Sequence, residues 1–344
     1  MGSFTKLATG WCTLFVVGTD LFVVSPLLPM IGAEYKISPA LAGLGVTVFA
    51  VAYMVIAPIL GHVADRHGRG RALFWCLLGF GVANLLTACS QSFAWLLAAR
   101  LLAGAGAAGI SPTIYAVIGD AAPPERRATW MAVVVSGLLS GLAVGAPTGA
   151  MVAATFGWSN VFVVLAGLCV ILAGANHRLW PGEKRAGGSV GVQPRALGAI
   201  LLARRMSPMV VWSTALYGVY TYLGAGLAEL GFSTAQIART IVVYGACAFA
   251  GTLLGGRVAD RFGAKKTAVT CVAGLGVCFL LLRLALPGRY LVDEILGLAS
   301  LIAQMFFPAQ QAGLAADFPA RRATVLAWNN SALFVGISLG SLVG

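Results

Sequence analysis

Long stretches of apolar residues, with few charges inside them, recur along the whole 344-residue sequence. Because the hydrocarbon core of a bilayer is about 30 Å thick, a helix needs roughly 20 such residues to cross it. Hydrophobic residues make up 59% of the chain and charged residues 10%, whereas about a quarter of a soluble domain is charged. The sequence therefore predicts an all-α integral membrane protein. Eleven spans are predicted, near residues 7–31, 40–63, 72–91, 94–118, 128–154, 159–179, 207–227, 234–258, 266–286, 290–314 and 323–344.

The basic residues are distributed unevenly over the predicted connections. The net charge is +12, and 18 of the 23 Lys and Arg lie before the first span or after an even-numbered one. In membrane proteins an excess of Lys and Arg marks the cytoplasmic side. We therefore expect a multi-pass protein of the bacterial inner (cytoplasmic) membrane, with a cytoplasmic N-terminus and no nucleic-acid partner.

The sequence contains an internal repeat with an offset of 195 residues. The stretch Gly61–Gly68 returns as Gly256–Gly263, and residues 126–129 return as 321–324. Three glycines of the fifth span return at the same offset in the eleventh. Three blocks with one offset indicate a six-helix unit duplicated in parallel. The predicted domains are an N-terminal six-helix bundle (1–179), a cytoplasmic connector (180–206) and a C-terminal bundle (207–344).

The repeat also predicts a twelfth span. A counterpart of the sixth span would begin beyond Gly344. The sequence is therefore interpreted as a twelve-helix protein that lacks the end of its eleventh helix and all of its twelfth.

The connection between the second and third spans carries a motif of glycines and charges. The residues are Gly61, Asp65, Arg66, Gly68, Arg69 and Arg71, and the second repeat has Gly256, Asp260, Arg261 and Gly263 at equivalent positions. This motif resembles the signature loop of the major facilitator superfamily, and the resemblance predicts that these residues take part in gating. The resemblance implies that Asp65 lies near the start of the eleventh helix and Asp260 near the start of the fifth. The alternative is a solvated loop that only holds positive charge inside.

Three more spans carry motifs. Gly18-Thr19-Asp20 lies in the first span, and Arg100 precedes Gly104 in the fourth. The fifth span carries Gly141, Gly145, Pro147 and Gly149. These motifs resemble those of the drug:proton antiporter branch of that superfamily, of the arabinose- and chloramphenicol-efflux type, except that Ala146 replaces a glycine of the antiporter motif. The resemblance implies two pseudo-symmetric six-helix bundles. The glycines can serve either a conformational hinge or ordinary helix packing.

Asp20 and Arg100 are predicted to lie at a similar depth in the membrane, roughly 20 Å above the cytoplasmic face. Charges at bilayer depth are costly and usually mark a functional path. The repeat places Ala215 and Ile295 at the equivalent positions, so these two charges were not duplicated. We predict that they couple transport to protons or substrate. The alternatives are a structural ion pair between the first and fourth helices, or an Asp20 at the outer rim of the membrane.

A substrate cavity needs polar groups near the midplane. The candidates are aromatic, hydroxyl and amide side chains of the seventh, tenth and eleventh spans: Tyr217, Tyr220, Thr221, Gln304, Asn329 and Asn330. Each of them can instead form hydrogen bonds between helices.

These features predict a secondary transporter and not an enzyme. The first interpretation is a monomeric, proton-coupled exporter of small amphipathic molecules, in the manner of multidrug-resistance antiporters. A sugar or nucleoside symporter or uniporter is the second, and a transport-dead receptor or assembly factor is the third. All seven Cys lie in predicted spans without metal-ligand spacing, so we expect neither metal nor cofactor. The expected partners are a small-molecule substrate, protons and the lipid bilayer.

Overall fold

A computed structural model describes residues 2–180, 199–286 and 291–343. Most of the predicted connector, Gly344 and the side chain of Thr221 lie outside the described residues. In the described ranges the long helices are α1 Ser3–Tyr35, α2 Leu44–His67, α3 Arg69–Ala88, α4 Phe93–Ala121, α5 Arg127–Ser140 continued by Ala146–Phe156, α6 Trp158–Leu179, α7 Ala199–Glu229, α8 Thr234–Phe262, α9 Ala264–Ala285, α10 Val292–Asp317 and α11 Arg322–Val343.

Each of these helices coincides with one predicted span. Over the described ranges, nine of them are long and apolar enough to cross a membrane. The other two, α7 and α11, include polar side chains such as Arg204 and Arg205 in the first and Asn329 and Asn330 in the second. The prediction of an all-α membrane protein is confirmed.

The helix surfaces are apolar on the outside. On α2, Val55 and Ile59 are each 55% exposed, whereas Tyr53 and Ala57 on another face are buried. Buried polar residues include Asp20, Asn84 and Arg100. This distribution is the reverse of a soluble fold and suits a surface that faces lipid.

The described residues cluster into two compact units. Unit 1 comprises 2–121, 134–180 and 318–331, and unit 2 comprises 122–133, 199–286, 291–317 and 332–343. The first part of α5 therefore lies in unit 2, and the first part of α11 lies in unit 1. The predicted domains 1–179, 180–206 and 207–344 stay a prediction.

Tight turns join the helices that carry the repeated motif. Gly68 between α2 and α3 has φ 100°, and Gly263 between α8 and α9 has φ 95°. Glycine adopts this region without the steric cost that a Cβ atom brings. Both aspartates of the motif lie three residues before such a turn, at the end of a helix.

Inside α5, a π-helical turn over Gly141–Gly145 precedes Pro147. Because proline has no N–H and its ring clashes with the carbonyl four residues earlier, it disturbs the α-helical ladder. π-Helical backbone is rare and occurs mostly as single turns inside α-helices, as it does here. The helical register of α5 thus changes just before Pro147.

Candidate functional site

The structure brings Asp20 of α1 and Arg100 of α4 together inside unit 1. Nη1 of Arg100 donates hydrogen bonds to Oδ1 of Asp20 at 2.6 Å and to Oδ2 at 3.0 Å. The Asp20 side chain is 0% exposed and that of Arg100 is 2% exposed. Removing one partner of a buried pair leaves an uncompensated charge. The Asp20 carboxylate is therefore the counter-charge of the Arg100 guanidinium.

Also in unit 1, Asp65 at the end of α2 binds the N-terminus of α11. Its Oδ1 accepts from the backbone N–H of Ala323 at 3.2 Å. Its Oδ2 accepts from the N–H and from the hydroxyl of Thr324, both at 2.8 Å. A carboxylate is favoured at a helix N-terminus because the first N–H groups have no partner inside the helix.

A chain of alternating charges extends from this contact. Nε and Nη2 of Arg69 donate to Asp65 at 2.9 Å and 2.8 Å, and Nη1 of Arg69 binds Asp120 at the end of α4. Asp120 also pairs with Arg322, the first residue of α11. Nη2 of Arg69 donates to the carbonyl oxygen of Pro319 at 3.3 Å. Four charged side chains thus tie these helices together.

In unit 2, Asp260 at the end of α8 makes the equivalent contact with the start of α5. Its two oxygens accept from the backbone N–H groups of Ala128 and Thr129, each at 2.8 Å. The charge chain has no counterpart here, because Ala264 stands where the first repeat has Arg69 and Ala315 where it has Asp120.

The remaining loop residues lie at the surface or serve close packing. Arg66 and Arg71 are exposed, and the guanidinium of Arg261 lies 5.3 Å from the ring centroid of Phe262. A Cβ atom on Gly61 would lie 2.7 Å from the carbonyl oxygen of Ala323. Beside Asp260, unit 2 has a cleft of about 440 Å³, which is lined by Glu125, Arg126, Thr129, Arg257, Asp260 and Arg261.

The glycines of the α5 motif pack against α1 within unit 1. A Cβ atom on Gly141 would lie 2.5 Å from the backbone of Gly18 and Thr19, and Cβ atoms on Gly145 and Gly149 would collide with the side chains of Thr19 and Val23. This contact lies next to Asp20. In unit 2, Cβ atoms on Gly336 and Gly340 of α11 would likewise meet α7.

Three of the candidate residues for a substrate cavity, Tyr217, Tyr220 and Gln304, lie in unit 2. The ring centroids of Tyr217 and Tyr220 are 6.4 Å apart, and Tyr220 stacks on Tyr244 of α8 at 5.3 Å. The hydroxyl of Ser300 on α10 donates to the carbonyl oxygen of Tyr244 at 2.8 Å. Gln304, one turn after Ser300, is partly buried.

The two predicted asparagines lie in unit 1, where both are buried. Nδ2 of Asn330 donates to the hydroxyl of Tyr53 on α2 at 3.1 Å, and the next residue, Ser331, donates to the carbonyl oxygen of Met54 at 2.7 Å. Asn330 therefore joins α11 to α2. Asn329 is 0% exposed.

Sequence reasoning missed Tyr53, Asp120 and Tyr244. The sequence contains one indication for Asp120: its counterpart in the second repeat is the uncharged Ala315. The lack of a charged counterpart is also what distinguishes Asp20. Tyr53 and Tyr244 are ordinary transmembrane aromatics until their neighbours on other helices are known.

The amino-acid sequence is similar to those of membrane transporters. The Major Facilitator Superfamily model matches residues 10–341. Over 341 residues the chain is 30% identical to the uncharacterized MFS-type transporter YceJ of Bacillus subtilis, in a match that covers 96% of this chain and 86% of that protein. It is 27% identical to the chloramphenicol resistance protein of Streptomyces lividans over 274 residues, covering 76% of this chain and 68% of that protein.

Among solved structures, the proton:xylose symporter XylE bound to 6-bromo-6-deoxy-D-glucose matches with a TM-score of 0.76 at 16% identity. The match covers 98% of this chain and 87% of that one. At this identity the likeness concerns the fold alone. Together with the helices described above, it confirms the predicted fold.

Proposed function

The chain belongs to the Major Facilitator Superfamily of transporters, and from this premise we propose that it is a proton-coupled exporter of small amphipathic molecules. The proposed mechanism is alternating access, in which a substrate site opens first to one side of the membrane and then to the other. The proposed location is a bacterial inner membrane, with the N-terminus in the cytoplasm. The bacterial relatives and the distribution of Lys and Arg support this location.

The buried pair of Asp20 and Arg100 is the observation that carries the proposal. A charge inside the membrane is costly and is usually retained for a function. A transport-dead protein has no need of such a pair, so its presence argues against the receptor or assembly-factor alternative. Proton uptake by Asp20 breaks the ion pair and leaves Arg100 without its counter-charge. Proton binding thereby changes the relative stability of the states between which the transporter moves.

The contacts of Asp65 and Asp260 support the alternating-access part of the proposal. Each carboxylate binds the first N–H groups of a helix that belongs to the other sequence repeat. When the cytoplasmic face of the transporter opens, the two repeats separate there and these bonds must break. The bonds therefore favour the state in which this face is closed, because a contact shifts an equilibrium only if it stabilises one state more than the other.

The direction of substrate movement is supported by a relative whose name is chloramphenicol resistance protein. The rival is a sugar symporter, because XylE, a proton:xylose symporter, has a similar fold. Fold similarity does not decide between them, since one fold serves many substrates.

Transport in proteoliposomes made from the purified chain tests the proposal. We expect an imposed pH gradient to drive chloramphenicol uphill, with protons moving in the opposite direction as reported by a pH-sensitive dye. Asp20→Asn should abolish uphill transport and retain downhill exchange, because an amide keeps the shape of the carboxyl group and cannot titrate.

Asp317→Asn is the matched control. Asp317 also pairs with an arginine, Arg205, at 2.6 Å, but both side chains are more than 40% exposed. Exposed pairs contribute little, so this variant should transport normally. Proton movement in the same direction as added xylose would establish the symporter instead, and an Asp20→Asn variant that still concentrates chloramphenicol would exclude Asp20 as the proton site.

A further inference from the structure

The guanidinium of Arg100 lies between two aromatic rings of unit 1. Its Cζ atom is 4.7 Å from the ring centroid of Phe49 on α2 and 5.6 Å from that of Phe162 on α6. Both rings are 1% exposed. A guanidinium within about 6 Å of a ring centroid is attracted to the π face, and the attraction grows when water is excluded.

Hydrogen bonds alone leave Arg100 incompletely partnered. Nη1 donates to both oxygens of Asp20, but Nε is buried and has no hydrogen-bond partner among the described residues. A buried cation with an unsatisfied donor is unstable unless something else offsets the loss of water. The two ring faces supply that compensation.

The helix packing around Arg100 brings the rings to it. Gly104 lies one turn after Arg100, and a Cβ atom there would collide with the backbone of Phe49. Glycine at this position therefore lets α2 approach α4 closely enough for the Phe49 ring to reach the guanidinium. On α6, Phe162 is held by an edge-to-face contact with Trp158 at 5.9 Å.

We propose that Phe49 and Phe162 are positioning residues for proton coupling, which hold the Arg100 guanidinium beside Asp20 throughout the proton cycle. The inference rests on the proposed role of Asp20 as the proton site. When Asp20 takes up a proton, the charge of the pair changes from zero to +1, and Arg100 loses its ionic partner. The rings do not titrate, so they retain the cation in place and the pair re-forms when the proton leaves.

The surroundings of Asp20 limit which other groups can take part. Arg100 faces it from α4, and the thiol of Cys169 on α6 is close enough to interact with its charge. The stretch of α5 packed on α1 at this level, Gly141–Gly145, carries no titratable side chain. On α2, Tyr53 lies one turn beyond Phe49, and their rings are 6.4 Å apart. The other charged residues of unit 1 lie at helix ends.

Infrared difference spectroscopy of the full chain in liposomes tests this inference without a substrate. The carbonyl stretch of the protonated Asp20 carboxylic acid is identified by its loss in Asp20→Asn, and its intensity is followed against pH. A loosened guanidinium attracts the carboxylate less, so the proton is bound more readily. Phe162→Leu and Phe49→Leu should each move the titration midpoint to higher pH, by less than Arg100→Gln does.

Two controls separate positioning from general packing. Phe162→Tyr retains the ring face and should keep the wild-type midpoint. Phe80→Leu changes another fully buried ring of unit 1, and it should also leave the midpoint unchanged.

A double-mutant comparison gives the decisive result. In the Arg100→Gln background, Phe162→Leu should produce no further shift, because the ring acts through the guanidinium. The same shift in both backgrounds would overturn the inference, as would a titrating Asp20 whose midpoint does not move in the leucine variants. A wild-type protein in which Asp20 does not titrate would remove the proposed proton site, and this inference with it.

Discussion

At the scale of single residues, Asp65 and Asp260 occupy the same place in the repeat and have different partners. Asp65 accepts hydrogen bonds from two backbone N–H groups, from the hydroxyl of Thr324 and from Arg69. Asp260 accepts from two backbone N–H groups. Hydrogen bonds to a charged group contribute about 1.5–3 kcal/mol, against about 0.5–1.5 kcal/mol for neutral ones. The Asp65 contact should therefore stabilise the state with a closed cytoplasmic face more than the Asp260 contact does.

This difference predicts unequal effects of the same substitution. Asp65→Asn should slow proton-driven chloramphenicol transport by about tenfold, which corresponds to about 1.4 kcal/mol. Asp260→Asn should slow it less, because fewer charge-assisted bonds are lost. Initial rates in proteoliposomes, normalised to the amount of inserted protein, give the comparison. An equal or greater loss in Asp260→Asn would show that the charge chain through Arg69 and Asp120 adds nothing to the contact.

At the scale of helices, α5 and α1 approach each other at backbone distance. The π turn over Gly141–Gly145 and the absence of side chains at Gly141 and Gly18 make this approach possible. Because Asp20 follows Thr19 in the same contact, any displacement of α1 also displaces the carboxylate. The glycine motif thus sets the position of the ion pair as well as the packing of two helices.

Gly141→Ala should destabilise the protein. The added Cβ atom would lie 2.5 Å from backbone atoms of Gly18 and Thr19, which cannot rotate away. Overpacking of this kind costs about 1–3 kcal/mol, so the thermal unfolding temperature in detergent should fall. Gly167→Ala on α6 is the control, since no atom lies within 4 Å of a Cβ atom there and alanine favours a helix over glycine. Equal unfolding temperatures for the two variants would contradict the close approach of α5 to α1 at Gly141.

At the scale of the whole molecule, the repeat is symmetric in its scaffold and asymmetric in its charges. The contact of Asp65 with residues 323 and 324 recurs as that of Asp260 with residues 128 and 129. The two aspartates are 195 residues apart, and so are their partners, with the two repeats exchanging roles. Asp20, Arg100, Arg69 and Asp120 have no charged counterparts. A duplicated frame with unduplicated charges is the arrangement expected when chemistry resides in one repeat.

The proposed orientation makes a prediction about the two ends of α1. In a background without cysteines, Ser3→Cys and Ser38→Cys place one thiol at an exposed position near each end. A membrane-impermeant maleimide should label the Ser38→Cys variant in intact cells with an opened outer envelope. It should label the Ser3→Cys variant only after lysis, because the positive-inside bias predicts that this end lies in the cytoplasm. The reverse pattern would invert the topology.

The order and approximate limits of the helices can be predicted from the amino-acid sequence alone. Spans of about 20 apolar residues are a one-dimensional signal, because the backbone polar groups in the membrane-crossing part of a helix are satisfied within that helix. The 195-residue offset likewise identified Asp65 and Asp260 as equivalent. The depth of Asp20 and Arg100 was estimated by counting residues along their helices.

Which side chains contact each other depends on how the helices pack. Depth along a helix does not define rotation about its axis or the choice of neighbour, so nothing in the sequence could place the rings of Phe49 and Phe162 over Arg100. The bond between Asn330 and Tyr53 joins residues 277 positions apart. In lipid, packing is decided by small residues and by hydrogen bonds between helices rather than by burial of an apolar face. Such contacts form only when the helices pack together, so the apolar pattern of the sequence does not predict them.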